Sequence, residues 1–200
     1  MPATEIPFLY LASTSPRRRE LLNQLGVPFE VLTLQVDESP LPGEEAAVYV
    51  QRLASLKAQA GWSRLAPAAQ APVLGADTTV LLGTQILGKP ANRDDAIGML
   101  LALSGRTHVV LTAIALATGV GLAQRCSRSE VTFCPIEPAL AAAYWDTGEP
   151  ADKAGGYAIQ GFGARFVQHL SGSFSGVMGL PLYETAQVLT EARVPQWRVQ

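Results

Sequence analysis

The chain has 200 residues, 48% of them hydrophobic, and a formal net charge of −2, enough to bury a core as one domain over residues 1–200, or one domain with two lobes around a cleft. A pI near 5.7 argues against broad nucleic-acid or anionic-membrane binding, so any bound polyanion must meet locally clustered positive charge. No window approaches the run of about 18 apolar residues that a membrane span needs, and MPATEIPFLYLAS lacks a basic leader, so a cytoplasmic protein without membrane or nucleic-acid partners is expected.

In chain order, FLYLAS is an apolar run that predicts a buried strand ending at Ser13. Ser15 suits an N-cap, Pro16 the first helical position, and Leu21, Leu22 and Leu25 an apolar stripe stopped by Gly26. FEVLTLQV predicts a second strand, followed by the acidic loop DESPLPGEE and a helix over residues 44–60. VLGADTTVLLG is a strong strand that a turn at Thr84–Gln85 would fold back onto ILGKP. NRDDAIGMLLALSG is a helix with a glycine stop, and residues 106–136 form two long β-rich segments joined at TGVG. EPALAAAYWDTGE is helical, PADKAGGYAIQGFGA is a glycine-rich loop, RFVQHLSG is a strand and PLYETAQVLTEA a closing helix. The pattern predicts a mixed-sheet α/β fold with flanking helices. Cys126 and Cys134 would share a face of one strand yet lie roughly 26 Å apart, too far for a disulfide, so reduced thiols are expected.

Three consecutive arginines, Arg17, Arg18 and Arg19, open the first helix, where the dipole disfavours cations. Arg17 and Arg18 make sense there if a phosphate completes the charge balance, since guanidinium forks and a helix N-terminus grip phosphate oxygens together. A solvated basic turn covering apolar surface is the plainer alternative. Asp77 is a single carboxylate inside a run of apolar residues, flanked by the hydroxyls of Thr78 and Thr79. A buried carboxylate must meet a metal, a cation or several donors, so Asp77 is a candidate metal ligand or general base; the other reading is an aspartate bonded to a nearby turn.

GTQILGKP matches the phosphate-binding spacing G-x-x-x-x-G-K, but Pro90 stands where a magnesium-binding hydroxyl and a helix start are needed. The P-loop reading is therefore rejected, leaving Lys89 as a point charge for phosphate or a solvated lysine. Gln160 lies within the four glycines of DKAGGYAIQGFG, and its amide complements the acceptor–donor–acceptor edge of uracil or thymine, or satisfies loop backbone groups. Asp37 and Glu38 could add a metal ligand or be solvated; His108 and His169 read as ordinary sheet residues, and Asp94 and Asp95 as helix N-terminal charges.

LASTSPRRRELL, GADTTVLLGTQILGKP, LSGRTHVVLT, DKAGGYAIQG and GSFSGVMGLPLYET occur in the order found in the Maf nucleotide pyrophosphatase family, which the chain resembles from about Leu9 to Leu189. The likeness is greatest to the branch acting on dTTP and UTP. It implies a Maf/ITPase-like α/β fold with a deep cleft, often dimeric, and hydrolysis of a nucleoside triphosphate between the α and β phosphorus with Mg²⁺ or Mn²⁺ as cofactor. It also implies Asp77 as the catalytic aspartate, Arg18, Thr78 and Gln160 as specificity positions, and Ser13, Arg17, Glu38, Lys57 and Lys89 lining phosphate and metal sites, with Glu38 and Asp77 as metal ligands. The family is also named for inhibition of septum formation, so a non-catalytic nucleotide sensor is the alternative. Thr14, and FSGVMGLP in place of the more usual YSNVVGLP, depart from the pattern.

Overall fold

Leu9, Tyr10 and Leu11 bury completely or nearly so and form β1 (Leu9–Leu11). The computed structural model describes residues 8–197; residues 1–7, part of the stretch read as lacking a leader, lie outside the described residues. β1 pairs in parallel with β2 (Phe29–Val31) and with β3 (Val73–Leu82), setting Tyr10 opposite Val73 and Leu11 opposite Leu74. The expected second strand stops at Val31 rather than running on to Val36, because β1 is only three residues long and offers no ladder beyond Leu11, which accepts the last bond from Leu32 N–H at 2.9 Å.

β4 (Gln85–Leu87) folds back antiparallel on β3 as expected. Its turn falls at Gly83–Thr84, one residue earlier than the sequence suggested, because Gly83 takes a φ of +62° that a side chain would resist. β5 (Thr107–Thr118), β6 (Gly121–Phe133) and β7 (Val167–Ser171) complete a mixed sheet of seven strands, ordered β2-β1-β3-β5-β6-β7 with β4 beside β3. The helices are α1 (Pro16–Asn23), α2 (Ala46–Arg64), α3 (Arg93–Leu103), α4 (Pro138–Asp146), α5 (Phe174–Met178) and α6 (Leu182–Glu191). Among the described residues no helix is long and apolar enough to cross a membrane, and neither Cys126 nor Cys134 is in a disulfide.

Two compact units divide the chain: one runs up to Asp77 and includes Ala113–Cys126 and the residues from Gly179 onward, the other comprises Thr78–Thr112 and Ser127–Met178. In the first, Leu21 and Leu22 from α1, Leu53 from α2, Leu74 from β3 and Ile114 from β5 are buried. Close approach of α2 to β3 depends on two glycines. A Cβ on Gly75 would lie 2.3 Å from the Ala54 carbonyl oxygen and 2.6 Å from the Ala58 nitrogen. One on Gly61 would meet Val73 Cγ1 at 2.7 Å. Gly61 thus lets α2 continue past the expected end at residue 60, at the usual entropic cost of an interior glycine. Because the atoms facing Gly75 are backbone and cannot rotate away, Gly75→Ala should cost about 3 kcal/mol or prevent folding, read by urea denaturation.

In the second unit α3 packs on α4, and Asn92 caps α3 by accepting from Asp95 N–H at 3.0 Å while Asp95 accepts from Ala91 N–H at 2.9 Å. That reciprocal arrangement makes Asp95 a helix-start residue, as expected. His108 packs edge-on against Phe133 and Tyr157, with Nε2 2.8 Å from the Tyr157 hydroxyl and Nδ1 unpartnered. Burial pushes its pKa down to about 4. The folded chain therefore keeps His108 neutral while the unfolded chain protonates it below about 6.5, so its contribution is intact above that pH and is lost as pH falls toward 4. About 3 kcal/mol of stability should disappear across that window, and His108→Gln should flatten that part of a melting-temperature-against-pH curve.

Candidate active site

The end of β1 and the interior of β3 bring the two main sequence signals into the same unit. Leu11 lies opposite Leu74, and Ala12 N–H bonds the Leu74 carbonyl at 2.8 Å. Ser13 and the α1 start therefore follow β1 at the carboxyl side of the register, as Asp77 follows Leu74 along β3. The carboxyl ends of parallel strands are where open α/β sheets present their ligands.

Arg18 is anchored rather than solvated: its Nε donates to the Gly179 carbonyl at 2.8 Å and its Nη1 to the Ser13 hydroxyl at 3.2 Å. Ser13 also accepts from Ser15 N–H at 3.3 Å. Ser15 occupies the N-cap position as expected, but its side chain makes no capping bond. Burial lowers the Arg18 pKa, the Asp77 carboxylate opposes that shift, and neighbouring Arg17 adds to it. A buried guanidinium crowded by a second one at a helix start is suited to an anion.

Asp77 is 7% exposed, and Lys57 Nζ on α2 reaches its Oδ1 at 2.7 Å. The same ammonium meets Glu38 Oε1 at 2.8 Å, so two carboxylates from a strand and a loop converge on one cation. Burial raises the Asp77 pKa, and the attraction of Lys57 and then of Arg18 only partly offsets it. A carboxylate held this way is a stronger base than an exposed aspartate.

The acidic pair separates into different tasks. Asp37 accepts from Ser39 N–H at 2.9 Å and so shapes its own turn, while Glu38 points to Lys57. The loop carrying Glu38 is held by α2: Tyr49 donates its hydroxyl to the Glu38 carbonyl at 3.0 Å, and Arg52 donates to the Ser39 carbonyl at 3.0 Å and to Glu44 at 2.6 Å and 2.7 Å. Sequence reasoning passed over Tyr49 and Arg52. Their i, i+3 spacing on one helix face was the available signal.

Thr78, Lys89 and Gln160 belong to the second unit. Thr78 bonds through its hydroxyl to Thr112, 3.0 Å away, and buried Thr112 also donates to the Gly176 carbonyl at 2.7 Å. Lys89 and Gln160 are both exposed. The strand before Lys89 is real: Ile86 and Leu87 lie in β4, and the next helix begins only at Arg93, which removes the P-loop reading. Gly155 N–H bonds the Gly88 carbonyl at 2.9 Å, tying the glycine-rich loop to the segment that bears Lys89. His169 is exposed on β7 and has no place among these residues.

The oxygen donors near Lys57 fit a hard divalent cation. Mg²⁺ binds through one or two protein carboxylates and completes its shell with substrate phosphate and water, and Glu38 and Asp77 converge as such a pair. Among the described residues no group of three or more His, Cys, Asp or Glu forms a site of the all-protein kind.

A mixed α/β sheet thus carries a basic helix start and a lysine-held buried acid in one unit. The chain belongs to the Maf-like protein family, whose model matches residues 8–192. Curated relatives named dTTP/UTP pyrophosphatase include one from Pseudoalteromonas atlantica, 53% identical with 91% of this chain and 95% of that protein covered. Another, from Saccharophagus degradans, is 53% identical with 95% and 91% covered, and one from Xanthomonas euvesicatoria is 55% identical with 91% and 97% covered. The solved structure of the Staphylococcus aureus Ham1 protein overlays with a TM-score of 0.44 and 11% identity, covering 92% of this chain and 98% of that one.

Proposed function

We propose that this protein hydrolyses dTTP and UTP between the α and β phosphorus, releasing the nucleoside monophosphate and pyrophosphate. The observation that carries this reading is the buried Asp77 carboxylate held by Lys57, whose ammonium also engages Glu38, in a chain more than half identical to relatives named for that activity. Arg17 and Arg18 take the triphosphate oxygens, with Ser13 and the Gly179 carbonyl fixing the Arg18 fork. Asp77 accepts the proton of the attacking water at its carboxylate, while Lys57 holds Oδ1 and orients the group. Lys89 offsets the charge that develops on departing pyrophosphate. Glu38 and Asp77 would hold a divalent cation, Mg²⁺ or Mn²⁺, which supplies Lewis-acid stabilisation of phosphate oxygens.

Thr78 and Gln160 read the base, the Gln160 amide offering a donor and an acceptor to a pyrimidine imide edge. Rate acceleration then comes from positioning and electrostatics, without a covalent nucleophile. Nothing on the molecule favours the nucleotide-sensing alternative. Incubation with UTP or dTTP and Mg²⁺ should yield equal amounts of monophosphate and pyrophosphate; release of orthophosphate and diphosphate would overturn the position of the cut.

A further inference from the structure

The exposed Gln160 sits in a loop whose two stems are held by one pair of groups, the buried Tyr144 and the half-buried Glu149. On the incoming side Ala158 N–H donates to the Tyr144 hydroxyl at 3.1 Å. On the outgoing side Phe162 N–H donates to Glu149 Oε2 at 2.9 Å, and Gly163 N–H to Glu149 Oε1 at 2.9 Å. The Tyr144 hydroxyl itself donates to Glu149 Oε1 at 2.6 Å, which closes the bracket. Lys153 Nζ goes to the Glu149 carbonyl, at 2.6 Å, and to the Asp152 carboxylate, at 2.5 Å.

The glycines beside Gln160 show how tightly the bracket closes. A Cβ on Gly161, whose φ is +109°, would lie 2.3 Å from Glu149 Oε2. One on Gly163 would lie 2.4 Å from the Ala158 carbonyl oxygen and 2.5 Å from the Tyr144 hydroxyl. Glycine supplies the turn, but a glycine-flanked residue has wide conformational freedom unless something else removes it. Burial works against the Glu149 charge, yet the Tyr144 hydroxyl and the Gly163 and Phe162 amides hold its pKa below the usual range, so the carboxylate stays charged and acceptor-only.

We propose that Glu149, acting with Tyr144, is a positioning residue for base selection: it fixes the Ala158–Gly163 loop so that the Gln160 amide is presented in one orientation. This rests on the reading of Gln160 as a base-recognition residue given above. Telling a uracil edge from a cytosine edge requires a donor and an acceptor held within about 0.5 Å and 10–20° of one geometry. A loop held only at one stem would let the Gln160 backbone shift and carry the amide out of reach of that geometry, losing the discrimination. Glu149 touches neither the substrate nor the reacting atoms in this account; it acts through Gln160.

The test is the ratio of kcat/KM for UTP to that for CTP, measured for Glu149→Gln, Tyr144→Phe and Gln160→Ala beside the unaltered protein. Glutamine at 149 keeps the shape but replaces one acceptor oxygen with a donor, which cannot serve an amide N–H. Glu149→Gln should lower the ratio about tenfold through UTP alone, Tyr144→Phe severalfold, and Gln160→Ala at least as much as either. An equal fall for both nucleotides would make Glu149 a structural brace and overturn the proposal. A ratio that drops with Gln160→Ala but holds in both Glu149→Gln and Tyr144→Phe would overturn it while leaving base recognition by Gln160 intact. An unchanged ratio in Gln160→Ala would remove base recognition and this proposal together. If Glu149→Gln does not fold, the Tyr144→Phe ratio decides.

Discussion

Asp77→Asn should reduce turnover of UTP and dTTP at least 100-fold, on the order expected for loss of a positioned base, while the protein folds and melts at the same temperature or higher. The two halves of that expectation have one cause. Burial raises the Asp77 pKa against the pull of Lys57, so the folded chain binds this proton more tightly than the unfolded chain does. A group shifted in that direction contributes stability below its unfolded pKa and forfeits it as pH rises through the folded one. At neutral pH the charged carboxylate is therefore a net burden on the fold. Asparagine removes the charge and keeps an oxygen for Lys57, whose ammonium also retains Glu38 at 2.8 Å. Turnover near that of the unaltered protein would remove Asp77 from its role, and a large fall in melting temperature would refute the account of its burial.

The opposite asymmetry is expected at Lys57. Lys57→Met should also reduce turnover about 100-fold, but it should unfold more readily, because it leaves the buried Asp77 carboxylate without the ammonium that contacts it. Breaking one side of a buried pair costs about 3–5 kcal/mol. For a chain of this size that corresponds to a fall in melting temperature of roughly 6–20 °C. The double variant, Lys57→Met with Asp77→Asn, should recover much of the loss because no charge is then left stranded. If the two single effects simply add in the double variant, the 2.7 Å contact carries no coupling energy and the electrostatic account of the site fails.

Much of the fold was legible in the residue pattern because it depends on local signals. The β3–β4 hairpin followed from two apolar runs about a short turn, and α3 from its acidic first turn and glycine stop. β2 was over-read because an alternating run says nothing about whether its neighbour is long enough to pair with it. α5 was missed because five residues carry too little periodicity. Within the candidate site, Arg17, Arg18 and Asp77 stood out because each breaks a local expectation, a cation at a helix start or an acid in an apolar strand. Partners distant in sequence did not stand out. The Arg18 fork is completed by a carbonyl 161 positions away, and Glu149 meets its loop 13 and 14 positions on. Neither pairing breaks a local rule, and the residues look ordinary until the chain is folded.

The bare backbone at Gly75 has a consequence for anyone recombining segments among relatives. With main-chain atoms of α2 standing where a side chain would go, strand and helix behave as two halves of one moulded part, and the reach of Lys57 to its acid is set by that joint. A chimera that imports α2 must import β3 from the same parent, and stabilisation campaigns that replace glycine with alanine wholesale should leave this position alone.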